Sequence, residues 1–220
     1  MKLLRNIWLL GIALLFSTWA HANSAYQEGS HYVNIAPQIA ENYVVQEFFK
    51  SDKHSVQVLE FFNYGCHWCY ELEPLLQTWL QDKTASNFAF RRVPVVFHPA
   101  WRPLAKAYYT AFSLENNTVI DAAFFKALHE EQRTLMETEQ IQKLFTEQGV
   151  SREIFDKTYG SFSVNRQLKE ANQLAVALRI AAIPFLIVHG PKGTYANAPS
   201  MAGNHENTIH ILEELVKKVQ

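Results

Sequence analysis

The chain has 220 residues, a formal net charge of −1 and two cysteines. This length is enough for one sizeable core, or for a core with an inserted subdomain, so the fold does not depend on disulfides to make up for a small core. The near-zero charge gives no sign of a basic surface for nucleic acid or for an anionic membrane.

The first 22 residues have the pattern of a secretory signal peptide. Basic residues open the chain, an apolar run extends from Ile7 to Phe16, and the segment ends in Ala20-His21-Ala22. The apolar run is shorter than the about 20 residues that a membrane-spanning helix needs. We therefore predict export to the periplasm with cleavage after Ala22; the alternative is an uncleaved membrane anchor.

Strand and helix patterns flank the two cysteines. The stretch from Val56 to Phe62 is rich in β-branched and aromatic residues, which is typical of a buried strand. From Cys69 onward, apolar residues recur at helical spacing, so the cysteines are predicted at the amino-terminal end of a helix that Pro74 should kink. A second strand is predicted from Phe88 to Phe97.

The region from residue 102 to residue 180 has a helical pattern throughout. The predicted helices run from Arg102 to Leu114, Val119 to Glu130, Glu137 to Gln148, Ser151 to Tyr159 and Val164 to Ile180. Thr134-x-x-Glu137 has the spacing of a capping box for the third of them. Beyond the helices, the sequence predicts a strand at Ile183–Val188.

The remaining segments complete an α/β order. Gly190-Pro191-Lys192-Gly193 predicts a hairpin turn into a partner strand, and a final amphipathic helix follows. The order of elements predicts an α/β domain, residues 23–99 and 181–220, that is interrupted by an all-helical domain, residues 100–180.

Both cysteines lie in one motif, Cys66-His67-Trp68-Cys69. A disulfide that closes so short a loop is credited with only about 2 kcal/mol, which explains the pair poorly as a structural staple. The attacking species in disulfide exchange is a thiolate, and the free amides at the start of a helix lower a thiol pKa. We therefore predict Cys66 as an exposed nucleophile and Cys69, nearly one turn later, as the inward-facing resolving thiol.

Two other interpretations of the cysteine pair remain open, an inert structural disulfide and a zinc site. A structural zinc site takes four ligands, and the second pair in this sequence, His205 and His210, lies far along the chain. We predict neither a metal nor a cofactor.

Several features together carry a resemblance to a known family. They are the strand Val58–Phe62, the pair Cys66-x-x-Cys69, Pro74 eight residues after the first cysteine, and Ile183-Pro184 opening a late strand. The chain resembles the thioredoxin superfamily, and its long helical insertion narrows the resemblance to the DsbA family of periplasmic disulfide oxidoreductases. The resemblance implies a thioredoxin fold with an inserted all-helical domain, oxidation of newly exported proteins with free thiols, and reoxidation by a quinone-linked membrane partner of the DsbB type.

The resemblance also implies roles for individual residues. Cys66 and Cys69 match the redox pair, and Pro184 matches the cis-proline that faces it. Glu60 matches the buried acid beneath the active site, whose raised pKa would suit proton exchange with Cys69. Alternatively, Glu60 lies at a wet strand edge or forms a structural pair with Arg92.

The sequence departs from the commonest family pattern at two places. The dipeptide between the cysteines is His67-Trp68 where Pro-His is usual, and Ile183 before Pro184 is more typical of reducing thioredoxins. We predict that His67, Trp68 and Ile183 tune the redox behaviour of the pair. Tyr64, Trp68, Ile183 and Pro184 are predicted to line a shallow apolar groove for unfolded substrates.

The sequence therefore predicts a dithiol oxidase that acts as a monomer and does not bind nucleic acid. One alternative is a periplasmic disulfide reductase or isomerase, and another is a thioredoxin-like binding module with an inert disulfide. Isomerases generally carry a dimerisation domain, and none precedes Gln27, which favours the oxidase.

Overall fold

The computed structural model describes residues 26–82 and 88–220. The predicted signal peptide lies outside these ranges. Within them, no helix combines the length and the apolar character that crossing a membrane requires.

A five-stranded mixed sheet forms the framework of the fold. Its strands are β1 (Val33–Asn34), β2 (Gln57–Phe62), β3 (Ala89–Pro94), β4 (Phe185–Gly190) and β5 (Gly193–Asn197). They are arranged in the order β1-β5-β4-β2-β3, with β2 and β3 parallel and all other neighbours antiparallel. Every residue of β2 is buried, as expected for an apolar strand with a neighbour on each side.

The register of the sheet sets one polar contact inside the core. In the parallel pair β2–β3, Glu60 lies opposite Arg92. Because side chains alternate along a strand, Glu60 shares a face of the sheet with Val58 and Phe62. The acid is therefore held inside the apolar core beside a basic residue.

Ten helices and two short irregular turns surround the sheet in the described ranges. They are α1 (Pro37–Ala40), α2 (Tyr43–Lys50), α3 (His67–Asp82), a 3-10 turn (Pro99–Trp101), α4 (Arg102–Ser113), α5 (Asn117–Phe125), a π-helical turn (Lys126–Glu130), α6 (Thr138–Glu147), α7 (Arg152–Tyr159), α8 (Phe162–Ala177), α9 (Pro199–Ala202) and α10 (His205–Val219). The long helices lie near their predicted positions, and Pro74 lies within α3 as predicted.

Helices cover both faces of the sheet. On one face, Leu72 of α3 and Leu215 of α10 share an apolar cluster with Val58. On the other face, Val45 of α2 and Leu174 of α8 share a second cluster, which includes Leu59 and Phe61 of β2. Helix α8 belongs to the predicted insertion and also packs on the sheet, so the proposed division at residues 100–180 stays a prediction.

Three local predictions are wrong. Strand β3 ends at Pro94, which has no N–H to donate, and does not extend to Phe97. The helix predicted to run to Glu130 changes to π-helical geometry after Phe125. The capping interaction at α6 involves Gln140, whose Oε1 accepts from the Glu137 N–H at 3.1 Å, instead of the predicted Thr134–Glu137 pair.

Candidate active site

The loop between β2 and α3 positions the cysteine pair, and Asn63 holds this loop. The buried Asn63 side chain donates to the Val95 carbonyl at 2.9 Å, while its Oδ1 accepts from the Gly65 N–H at 3.0 Å. The Asn63 carbonyl accepts from the Cys66 N–H, also at 3.0 Å. These bonds fix Cys66 immediately before the first residue of α3.

Cys66 and Cys69 are both free thiols with contrasting environments. The Cys69 N–H donates to Cys66 Sγ at 3.4 Å, as the backbone of a first helical turn does to a capping residue. A hydrogen bond from the Cys69 thiol lowers the pKa of Cys66 most strongly, and the backbone N–H groups of Cys69 and Trp68 lower it further. Burial raises the pKa of Cys69 well above its usual range. The predicted asymmetry between the two thiols is therefore present, although Cys66, at 7% exposed, is less accessible than predicted.

Replacing Cys69 by alanine is expected to raise the pKa of Cys66, because it removes the largest of the interactions that favour the thiolate. A hydrogen bond to a charged group contributes about 1.5–3 kcal/mol, so alkylation at neutral pH should slow by roughly tenfold or more. The rate of reaction with iodoacetamide as a function of pH measures this change. Cys69→Ser keeps an O–H donor and should stay closer to the native midpoint; an unchanged midpoint in Cys69→Ala would contradict the assignment.

The cysteine pair faces the loop that precedes β4. The Ile183–Pro184 peptide bond is cis, as the resemblance implied. The Cys66 thiol donates to the Ile183 carbonyl at 3.7 Å. The structure therefore brings Cys66, Ile183 and Pro184 together, although they are far apart in sequence.

The two residues between the cysteines point in different directions. His67 is mostly exposed and its Nε2 lies 3.7 Å from Oε1 of Glu71. Trp68 is 61% exposed and stacks on His205 at the start of α10, with ring centroids 5.8 Å apart. Redox tuning by His67 stays a prediction, and Trp68 is available for contact with another molecule.

Tyr64 does not line a surface groove, so that prediction is wrong. Its side chain is 1% exposed and its ring stacks on Phe124 at 4.7 Å between centroids. The Tyr64 hydroxyl donates to Asp121. Tyr64 is therefore part of the core beneath the active-site loop.

Glu60 lies in a buried charge cluster that contains one cation and three acids. Arg92 Nε donates to Glu60 Oε2 at 2.7 Å, Arg92 Nη1 donates to Asp121 Oδ2 at 2.9 Å, and Arg92 Nη2 donates to Glu73. Burial raises the pKa of Glu60 to about 7 and that of Asp121 to about 6. Glu60 is fully buried, as the resemblance implied, and it pairs with Arg92, so the alternative position at a wet strand edge is wrong.

Sequence reasoning missed three residues of this region: Asn63, Glu73 and Asp121. Asp121 carried a usable signal, because it interrupts an otherwise apolar helix segment and a buried acid needs a partner. Glu73 carried none, since acids on helices are commonly exposed.

The described ranges, 26–82 and 88–220, contain no group of three or more His, Cys, Asp or Glu side chains arranged to hold a metal ion. His205, considered above as a zinc ligand, contacts Trp68 instead.

A cysteine pair at the start of a helix, facing a cis X–Pro bond beside a mixed sheet, defines the class of thiol:disulfide oxidoreductases with a thioredoxin fold. A family model described as a DSBA-like thioredoxin domain matches residues 102–206, a range that includes Pro184 but not the cysteines. The chain belongs to the DsbA family, as its similarity to individual members establishes.

The relatives extend this similarity over nearly the whole chain. The thiol:disulfide interchange protein DsbA of Bordetella pertussis is 32% identical over 209 residues, which cover 94% of this chain and 91% of that protein. DsbA of Pseudomonas aeruginosa is 29% identical over 218 residues, covering 98% and 97% of the two chains. The crystal structure of Pseudomonas aeruginosa DsbA matches with a TM-score of 0.75 at 27% identity, covering 88% of this chain and 94% of that one.

Proposed function

We propose that the protein is a periplasmic dithiol oxidase that donates a Cys66–Cys69 disulfide to newly exported proteins. The observation that carries this proposal is the contrast between the two thiols. Cys66 Sγ accepts from the thiol and the N–H of Cys69 at the start of α3, which lowers the pKa of Cys66, whereas burial raises the pKa of Cys69. Stabilising the Cys66 thiolate stabilises the reduced pair, and each 1.4 kcal/mol makes the disulfide more oxidising by about 30 mV.

The proposed reaction has two exchange steps. A client thiolate attacks Cys66 Sγ of the oxidised pair; the Cys66–Cys69 bond breaks and Cys69 leaves as a thiolate that takes up a proton. A second client thiolate then attacks the client sulfur of the mixed disulfide and expels the Cys66 thiolate. The client gains one disulfide and loses two electrons, which the cysteine pair takes up. The lowered pKa of Cys66 favours this second step, because a more acidic thiol leaves faster.

Glu60 is the acid that we assign to the proton transfer at Cys69. Its pKa of about 7 leaves it partly protonated near neutral pH, so it can both give and accept a proton there. Its negative charge raises the pKa of both cysteines, which places it close to the pair electrostatically.

The proposed cycle needs an acceptor for the two electrons. The resemblance assigns this role to a quinone-linked membrane oxidase of the DsbB type. Export of the chain through a signal peptide cleaved after Ala22, and action as a monomer, belong to the same proposal. A reductase or isomerase is the second candidate, which the Ile183 beside Pro184 favours.

A glutathione titration of the pair tests the proposed direction of transfer. An oxidase requires a potential clearly above that of thioredoxin, about −270 mV, and a pair that is mostly oxidised when free thiols are trapped in cells. A potential near or below the thioredoxin value, with a mostly reduced pair in cells, would instead assign the protein as a reductase or isomerase.

Replacing Trp68 by alanine is expected to weaken the binding of unfolded clients. An exposed tryptophan beside the reactive thiol contributes apolar contact area. Trp is enriched among the interface residues whose loss costs more than about 1 kcal/mol, so KM for a reduced unfolded protein should rise about five- to tenfold. Phe162→Ala, which removes another exposed aromatic at the start of α8, is the matched control and should leave KM unchanged. Equal effects of both substitutions would argue against a client site at Trp68.

A further inference from the structure

Asp121 of α5 is the one acid of the predicted insertion that bonds to the charge cluster beneath the cysteines, within the described ranges. Its side chain is nearly completely buried, at 4% exposed. Oδ1 accepts from the Tyr64 hydroxyl, and Oδ2 accepts from Arg92 Nη1 at 2.9 Å. The two oxygens therefore bind two different parts of the active-site framework, the loop that leads to Cys66 and the cation that pairs with Glu60.

The first of these connections holds the active-site loop. Tyr64 precedes Cys66 by two residues, and the insertion contacts it at several points. Its hydroxyl bonds to Asp121, its ring stacks on Phe124 of α5, and its main-chain carbonyl accepts from His129 Nε2 at 2.7 Å. Tyr64 is thus bound to the insertion through both its side chain and its backbone.

The second connection links Asp121, through Arg92, to Glu60, the acid assigned to proton transfer. The Arg92 guanidinium divides its donors among Glu60, Glu73 and Asp121. A single positive charge cannot balance three carboxylates, of which Glu60 and Asp121 are buried and Glu73 is partly buried. Burial raises the pKa of both Glu60 and Asp121 toward neutral pH. Asp121 therefore competes with Glu60 for the same cation.

We propose that Asp121 is a positioning residue for thiol–disulfide exchange, through which the helical insertion holds Tyr64 in place and favours the protonated form of Glu60. This inference rests on the function proposed above. The groups that interact electrostatically with Glu60 are Arg92 of β3, Cys66 just before α3, Cys69 and Glu73 of α3, Tyr108 of α4 and Asp121 of α5. Of these, Asp121 is the acid that the insertion supplies.

The direction of the effect follows from the charges. Burial is the largest cause of the raised pKa of Glu60, about 7, and ionised Asp121 raises it further because it repels a negative charge on Glu60. Asp121→Asn keeps the shape of the side chain, removes this repulsion and leaves Arg92 to Glu60 and Glu73. Glu60 should then ionise at a lower pH, by up to about one pH unit, as expected for the loss of a nearby like charge.

The experiment measures the titration of Glu60 directly, by carbon-13 NMR of the labelled side-chain carboxyl in the reduced full-length mature protein. The pH profile of disulfide transfer to a reduced unfolded protein is measured in parallel. In Asp121→Asn, both midpoints should move to lower pH together. Asp156→Asn makes the same chemical change at an exposed acid of α7 and should move neither midpoint.

A second variant tests the same inference if Asp121→Asn does not fold. Tyr64→Phe keeps the ring that stacks on Phe124 and removes the hydroxyl that bonds to Asp121. That hydroxyl lowers the pKa of Asp121, so its loss makes Asp121 neutral over more of the pH range. The Glu60 midpoint should fall in Tyr64→Phe as well, by less than in Asp121→Asn.

Two results would overturn the inference: an unchanged Glu60 midpoint in both variants, or a loss of stability in either variant with both pH profiles unmoved, which would leave Asp121 a purely structural role. Failure of the native protein to oxidise the client would overturn the proposed function instead. The NMR titration of Glu60 would still report on Asp121 in that case, so the two failures are distinguishable.

Discussion

Replacement of Cys66 by serine is expected to reduce disulfide transfer to the uncatalysed rate. A serine hydroxyl forms no disulfide and is not ionised at neutral pH, so neither the oxidised pair nor the mixed disulfide can form. The measurement is the oxidation of a reduced unfolded protein that contains two cysteines. Because serine has nearly the size of cysteine, the variant should fold with near-native stability, and retained activity in a folded Cys66→Ser protein would rule out Cys66 as the nucleophile.

Cys69→Ser is the matched control for that experiment, because it removes one sulfur from the same motif with a different expected outcome. The Cys66 thiolate can still attack a client disulfide, which forms a mixed disulfide and releases one client thiolate. Cys69, the thiol that would attack Cys66 Sγ of this mixed disulfide and free the client, is lost. Covalent adducts between the variant and its clients should therefore accumulate and be released by a reductant. If adducts instead formed through Cys69 in Cys66→Ser, the two roles would be reversed.

Local patterns predicted the cysteine pair and its helix because the relevant interactions are close in sequence. The apolar run of β2, the break at Gly65 and the helical spacing after Cys69 all act within a few residues. They place Cys66 before the first turn of α3, where the Cys69 N–H reaches its sulfur. The position of Pro184 opposite the pair came from the resemblance, since a contact between residues so far apart depends on strand order, which spacing along the chain does not specify.

The burial of Tyr64 depends on contacts with a distant segment, which local sequence patterns do not predict. In sequence, a tyrosine in a loop between a strand and a cysteine pair suggests an exposed aromatic. The insertion brings Phe124 and Asp121 over this loop, and they provide both an apolar surface for the ring and an acceptor for the hydroxyl. The fold of a distant segment thus reverses the expected exposure.

The charge cluster was predictable only in part, for the same reason. Glu60 in an apolar strand needed a partner, and the β2–β3 register places Arg92 directly opposite. Glu73 and Asp121 come from α3 and α5, and their convergence on one guanidinium depends on how these helices pack. The spacing of residues along the chain holds no information on that packing.

Replacement of Arg92 by methionine is expected to have the largest effect on stability. It leaves three carboxylates in or near the core without their shared cation, and breaking a buried ion pair in this way commonly costs about 3–5 kcal/mol. Arg133, whose ion pairs with Glu131 and Glu147 are more exposed, provides the control. Arg133→Met should change the free energy of unfolding by about 1 kcal/mol or less.

The loss of stability in Arg92→Met should depend on pH. In the folded protein the pKa of Glu60 is about 7 and that of Asp121 is about 6, and both exceed the ordinary values of these acids. For acids with raised folded pKa values, the folded protein binds more protons than the unfolded chain, so stability is greatest at low pH and falls as pH rises through those values. Without Arg92 these pKa values rise further, so the fall is larger and extends to higher pH. Urea unfolding should therefore show a small deficit at pH 5, where Glu60 and Asp121 are mostly protonated in either protein, and a larger deficit at pH 8. Equal deficits at the two pH values would assign the cost to lost packing of the arginine side chain and not to uncompensated charge.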